Sequence, residues 1–234
     1  MRVVPLALAF AIASRDARRR GLYGAALAIL LGALLLTYSR GALFLGLPTG
    51  LLVWGALRGR RALLTSAAAV ALVAGVALLA AGPGRVASLL NPDEGTTFRR
   101  LKLWEASVEM LADHPWLGVG LDNFLYQYPR YVRPEAAQEP DLSHPHNLVL
   151  HWWLSLGLPG VIALLWLGGE FARRGLRLYR TSGDPQIRLI ALALLASMGA
   201  GLAHGLVDQS YFLVDLAFVF FLSLGIVRRE ELAR

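Results

Sequence analysis

The chain has no cysteine, a single lysine and little charge. Asp, Glu, Lys and Arg together make up 17% of its 234 residues. The absence of cysteine excludes a disulfide framework and a thiolate metal site. Low charge, a hydrophobic fraction of 56% and a mean hydropathy of +0.52 exclude a soluble domain of this size. Also missing are a glycine-rich phosphate loop, a serine nucleophile elbow and a carboxylate pair at glycosidase-like spacing. The net charge of +7 does not point to nucleic acid, because the basic residues punctuate apolar runs instead of clustering with aromatics. Lys102 is the only lysine among the 23 basic residues, a bias read as genomic composition.

What is present is a succession of apolar runs, and it predicts an all-α, polytopic membrane helix bundle. Val3–Ala13 is too short to cross a hydrocarbon core of ~30 Å as a helix. A signal peptide would leave Arg15, Arg18, Arg19 and Arg20 outside, against the positive-inside rule. The run therefore reads as a stub, the last turns of a helix, and the chain as a short version of a longer protein. Complete spans are expected at 21–38, 41–57, 62–81, 147–171, 187–206 and 211–227, about six beside the stub. Arginines at 15–20, 58–61, 173–188 and 228–234 fall on alternate ends of these spans and so on one side, expected to be the cytoplasm, with the C-terminus there. Residues 1–81 are read as N-terminal transmembrane helices, 82–145 as one long external loop and 146–234 as C-terminal transmembrane helices.

The loop has helical period over Thr96–Ala112, with Leu101, Trp104, Val108 and Leu111 as the expected packing stripe. His114-Pro115 should end this helix and Gly118-Val-Gly120 should turn the chain. Prolines at 129, 134, 140 and 145 keep the rest irregular.

Few residues in this pattern can carry chemistry. His146-Asn147 stands at the water-facing end of a span, with nine residues between it and Gly157-x-x-Gly160. A neutral imidazole there can take a proton from a sugar hydroxyl. Arg40, preceded by Ser39, sits between two apolar spans where topology does not favour it. Its planar fork suits phosphate oxygens; the alternative is a side chain snorkelling to lipid headgroups. Arg100, one helical turn before Trp104, can join Arg40 as a clamp on a diphosphate or be a solvated helix start. His204 and Asp208, four apart, are a supporting pair or a structural one. His144 and His146 at i, i+2 have no third ligand at metal spacing, so no metal site is expected.

These residues, in order, resemble the O-antigen ligase / O-antigen polymerase superfamily of bacterial lipid-linked glycan transferases. The resemblance is carried by Thr37-Tyr-Ser39-Arg40-Gly41-Ala42; by Arg100-Leu-Lys-Leu-Trp104, Met110 and His114-Pro-Trp-Leu-Gly118-Val-Gly120-x-x-Asn123-Phe124; by His146-Asn147 with Gly157 and Gly160; and by His204–Asp208. It covers roughly residues 30–227 and implies one O-antigen ligase-like domain in the bacterial inner membrane. It implies a glycan on undecaprenyl diphosphate as donor, with Arg40 and Arg100 on the diphosphate. His146 would be the general base on a lipid or glycan acceptor hydroxyl, with inversion and without metal or other cofactor. Ser39, Asn147, His204 and Asp208 would support the site. The implied setting is lipopolysaccharide or other cell-surface polysaccharide biosynthesis, with membrane lipids around the protein and no nucleic acid. The family's usual ten to twelve spans exceed those found here. The alternatives are a polymerase of the same superfamily and a polytopic transporter; a transporter commonly shows internal repeats, and none is evident.

Overall fold

The structure is a computed structural model, and it describes residues 1–90, 95–134, 142–208 and 214–232. Pro140, Arg234 and the start of the last expected span at 211–213 lie outside them. Among the described residues every regular element is helical. The chain forms two compact units, one of residues 1–81, 170–204 and 214–234, the other of 82–169 and 205–213.

The first unit begins with a helical hairpin, α1 (Val4–Ala13) and α2 (Ala17–Leu36). Asp16 turns the chain between them. Its carboxylate caps α2 by accepting from the backbone N–H of Arg18 at 3.3 Å and of Arg19 at 3.1 Å. After α2 the expected interruption at Ser39-Arg40 is a real break. Thr37 closes the helix, Tyr38 takes a left-handed φ of 50°, and the Ser39 hydroxyl accepts from the Ala42 N–H at 3.4 Å. The next span starts as a π-turn, Ala42–Gly46, and continues as α3 (Leu47–Arg58). Pro48 gives a reason for the wide turn: it has no N–H to donate and its ring crowds the carbonyl four residues back.

Helix α3 packs against α8 (Pro185–Gly205) through small residues. A Cβ on Gly46 or Gly50 would lie 3.1 Å from the carbonyl oxygens of Ala200 and Ala196 respectively. This small-x-x-x-small approach lets two backbones close together where no hydrophobic effect drives helices into contact. Trp54, Ala9, Leu192, Ala193 and Ala196 form the core beside it. The Tyr179 hydroxyl donates to the Leu57 carbonyl at 2.8 Å. The arginine-bearing connections meet at one end of this unit. Arg15, Arg19 and Gln186 line one cavity, Arg58 and Arg188 line a second, and Leu189 borders both.

Helix α4 (Arg60–Leu90) changes direction at Gly82, whose φ of 76° is left-handed, and α9 (Val214–Leu232) ends the described chain. Among the described residues four helices are long and apolar enough to cross a membrane: Ala17–Leu36, Arg60–Gly82, Leu148–Thr181 and Pro185–Gly205. Val4–Ala13, Ala42–Arg58 and Val219–Arg228 are shorter apolar helices. Leu22, Ile29, Leu64, Leu72 and Leu79 stand exposed on α2 and α4. Water would drive such surfaces together, whereas hydrocarbon solvates them.

The second unit is built on α5 (Gly95–Asp113), a short helix α6 (Phe124–Gln127) with a 3₁₀ turn after it, and the first part of α7 (Leu148–Thr181). Helix α5 matches its expected span and ends before His114-Pro115, but only part of the expected stripe packs: Leu111 is buried and Trp104 half-buried, while the other two members are not. Leu101 is 40% and Val108 56% exposed. The buried face is Leu103, Ala106, Ser107, Met110 and Leu111, against Phe124, Tyr128 and Leu154. Small Ala106 and Ser107 let α5 approach its neighbours closely, which a count of large apolar residues does not register. Tyr131 donates to Asp113 at 2.8 Å, and Arg133 pairs with Glu109, fixing the loop that follows α6.

Helix α7 is broken at Gly157, with φ 69° and ψ −165°, two residues before Pro159. The loop after α5 fills the break. The Leu158 N–H donates to the Trp116 carbonyl at 3.0 Å, and the Val119 N–H donates to the Leu154 carbonyl at 2.6 Å. Backbone groups that an unbroken helix would pair with each other thus find partners on the loop. A Cβ at Gly157 would collide with the Trp116 carbonyl, and one at Gly118 with the carbonyls of Trp153 and Leu154.

Gly157→Ala therefore combines a left-handed backbone with a steric clash, and should destabilise the second unit by about 1–3 kcal/mol or more. Gly24→Ala, on α2 with nothing within 4 Å of its Cβ position, should be neutral or mildly stabilising. Thermal melting of the two variants in detergent checks this; equal melting temperatures would reject it.

Candidate functional site

The site lies in the second unit, where the loop after Leu142 enters α7. Pro145 confines His144 before it to extended conformations. The Pro145 carbonyl accepts from the Trp104 indole N–H at 2.9 Å, which ties the loop to α5. His146 follows with a left-handed φ of 47°. Non-glycine residues in that region are uncommon and concentrate where the surroundings impose a geometry. Asn147 is the N-cap of α7, accepting from the N–H of Val149 and of Leu150 at 3.0 Å each. Its amide N–H₂ donates to the Leu206 carbonyl at 2.9 Å. One side chain thus fastens the segment 205–208 beside the start of α7.

That segment delivers Asp208. Oδ1 of Asp208 accepts from His146 Nδ1–H at 2.9 Å, and Oδ2 lies 3.5 Å from Arg100 Nη2. A carboxylate can only accept, so the proton of a neutral His146 sits on Nδ1 and its Nε2 carries a lone pair. The side chains of Arg100, His146 and Asp208 are 28%, 28% and 31% exposed, so the group is reachable from outside. An imidazole oriented by a carboxylate, with a cation on that carboxylate, is an arrangement that can abstract a proton from a hydroxyl and stabilise the charge that results.

The His144 ring lies 4.3 Å from that of His146, and His151 is 6.4 Å from His144. Burial first, then the neighbouring His146, lower His144 to about 4, with Asp208 acting in the opposite direction. His144 is therefore neutral near pH 7, and its Nδ1 lies 2.9 Å from the Ser143 hydroxyl. A base that weak takes a proton poorly, which leaves the base role to His146. Among the described residues no three His, Asp or Glu side chains are placed to hold a metal ion.

Of the residues singled out from the sequence, Arg100, His146, Asn147 and Asp208 come together here. Ser39, Arg40 and His204 belong to the first unit. Ser39 is a capping residue there. Helix α8 ends at Gly205, so Asp208 lies beyond the helix that carries His204. Asp208 turns to His146 and Arg100. Sequence reading missed this link, since 62 residues separate Asp208 from His146 and no local signal joins them. The capping role of Asn147 was readable as an Asn directly before an apolar run.

The family model described as O-antigen ligase matches residues 25–165. The chain belongs to the O-antigen ligase family. The match contains Arg40, Arg100, His146 and Asn147 and stops before Asp208. The chain is also 28% identical over 217 residues to the O-antigen ligase of Pseudomonas aeruginosa, an alignment covering 89% of this chain and 49% of the relative. The chain thus spans about half the length of the curated relative it matches. With its apolar helices, this O-antigen ligase family member is a multi-pass membrane protein.

The depressed His144 makes folding pH-dependent. Its unfolded counterpart binds a proton near pH 6.5, while the folded protein resists until about pH 4. The unfolded state therefore holds more protons between these values, and stability falls as pH falls through that window. The contribution is complete above about pH 6.5 and levels off below about pH 4. The melting temperature in detergent should decline across this range, and less steeply in His144→Gln. An unchanged slope in the variant would reject the assignment.

Proposed function

We propose that this protein transfers a glycan from undecaprenyl diphosphate to a hydroxyl of a lipid or glycan acceptor in cell-surface polysaccharide biosynthesis. The observation that carries the reading is the hydrogen bond from His146 to Asp208, with Arg100 on the same carboxylate. Family membership supports the substrate class. In this reading Nε2 of His146 removes the acceptor hydroxyl proton as the oxygen attacks the anomeric carbon. The bond from that carbon to the diphosphate breaks, and the diphosphate leaves with the electron pair. Attack from the face opposite the leaving group inverts the anomeric centre.

Arg100 offers a guanidinium to the negative charge that grows on the diphosphate, which lets the reaction proceed without a metal. Arg40 is assigned to the same diphosphate on the strength of the Ser39-Arg40-Gly41 resemblance. Asp208 fixes the tautomer and orientation of His146 and stabilises the imidazolium once the proton has moved. The acceptor separates ligase from polymerase: a ligase uses a lipid core, a polymerase a second carrier-linked glycan. We place the arginine-rich connections on the cytoplasmic side of the inner membrane, following the positive-inside rule, and the C-terminus with them.

His146→Ala should lower transfer about a hundredfold to ten-thousandfold at unchanged protein level, the usual contribution of general base catalysis. Asp208→Asn should fall in the same range, since an amide can donate to Nδ1 and so favour the wrong tautomer. Transfer of radiolabelled carrier-linked glycan to purified acceptor measures both, and wild-type rates in either variant would overturn the base assignment. Arg40→Lys should lose most of the activity, because a point charge does not replace a two-pronged fork. Unaltered donor binding and rate in that variant would remove Arg40 from the site.

A further inference from the structure

The first unit holds a feature that glycan transfer does not use. A cavity of about 560 Å³ opens between the C-terminal half of α1, the turn at Asp16, the first turns of α2 and the start of α8. Its lining combines apolar and aromatic side chains with the polar Ser14 and Gln186. The rings of Phe10 and Tyr23 stack at 5.4 Å and 26°, with Ala13 and Leu189 beside them. Its rim carries Arg15 and Arg19. The one rim carboxylate, Asp16, is engaged by the backbone N–H groups of Arg18 and Arg19 in capping α2. The rim keeps a net positive charge, two guanidiniums against one carboxylate.

We propose that this cavity binds the headgroup of an anionic phospholipid. The phosphate would sit between Arg15 and Arg19, and the glycerol and first acyl carbons would lie against Phe10 and Tyr23. Three observations favour a lipid over a small anion. The volume falls in the range of organic-ligand pockets and far exceeds what inorganic phosphate fills. Phe10, Ala13, Leu189 and Ile190 give the cavity apolar surface that a bare phosphate would leave uncovered, beside the polar Ser14 and Gln186. The helix leading away from the rim, α2, leaves Leu22 and Ile29 exposed, a surface along which acyl chains can continue. Guanidinium forks match phosphate oxygens in geometry as well as charge, and basic pockets between transmembrane helices are suited to anionic headgroups. The proposal needs no assignment of the rim to either face of the membrane.

The test uses the full chain purified in a neutral detergent, with melting temperature followed as lipid is titrated. Dioleoyl phosphatidylglycerol should raise it saturably. Dioleoyl phosphatidylcholine at the same concentrations should raise it at least fivefold less. The double variant Arg15→Gln/Arg19→Gln should need about tenfold more phosphatidylglycerol for half the shift. Phe10→Ala, which changes no charge, should also weaken the response. The control is Arg18→Gln/Arg20→Gln, which removes the same charge from the same turn outside the cavity and should respond as wild type does. Equal loss in that control would reduce the effect to general surface electrostatics and overturn the site. An equal response to phosphatidylcholine, or a full shift from inorganic phosphate alone, would overturn the lipid assignment. Should the double variant fold poorly, Arg15→Lys/Arg19→Lys with Phe10→Ala decides instead: wild-type phosphatidylglycerol affinity in all three substitutions together would also reject it.

Discussion

The second unit depends on a swap of backbone hydrogen bonds at the break in α7. Leu154 and Leu158 are four residues apart and would pair with each other in a continuous helix. Instead the Leu154 carbonyl accepts from Val119 and the Leu158 N–H donates to Trp116. In hydrocarbon or at its edge an unpaired backbone group costs several kcal/mol, so a helix cannot open there unless something answers for it. The loop 116–119 answers for both groups at once, and the glycines at 118 and 157 let two backbones come within reach. Pro159, which has no N–H to pair, makes an unbroken helix the worse alternative. Because this loop follows α5 directly, fixing it also fixes where α5 runs.

The position of α5 in turn sets the chemistry. Its Trp104 holds the Pro145 carbonyl and its Arg100 reaches Asp208, so one helix face supports the His146 loop and charges its partner. Asn147 does the complementary work from α7, capping the helix with its oxygen and holding Leu206 with its nitrogen. The histidine is thus positioned by three chain segments far apart in sequence. The left-handed backbone at His146 is a cost of order 1–3 kcal/mol that such surroundings can sustain.

The legible part of the sequence was the part governed by local rules. Apolar length marked the spans, arginines marked one end of the first unit, and His114-Pro115 marked the end of α5. The residues of the cluster were legible one by one through the family resemblance. Three things were not legible. The buried face of α5 is set by Ala106 and Ser107, whose smallness matters only once a neighbour is known. The close approach of α3 to α8 rests on Gly46 and Gly50 in the same way. The link from Asp208 to His146 and Arg100 spans distant segments, and helical spacing from His204, a local rule, cannot reveal it.

The two units also use arginine differently, and charge balance separates the uses. Arg173 and Arg174 at the end of α7 share Glu170 one turn away, at 2.6 Å and 2.5 Å. Exposed helical pairs of this kind contribute little to stability, and their positive excess is better understood as a topological signal. Arg100 has a carboxylate at 3.5 Å that is already committed to an imidazole. That pairing is loose enough for a phosphate oxygen to compete for the same guanidinium. An arginine held in place by a partner it can partly exchange is preorganised without being neutralised, which is what the proposed departure of a diphosphate would call for.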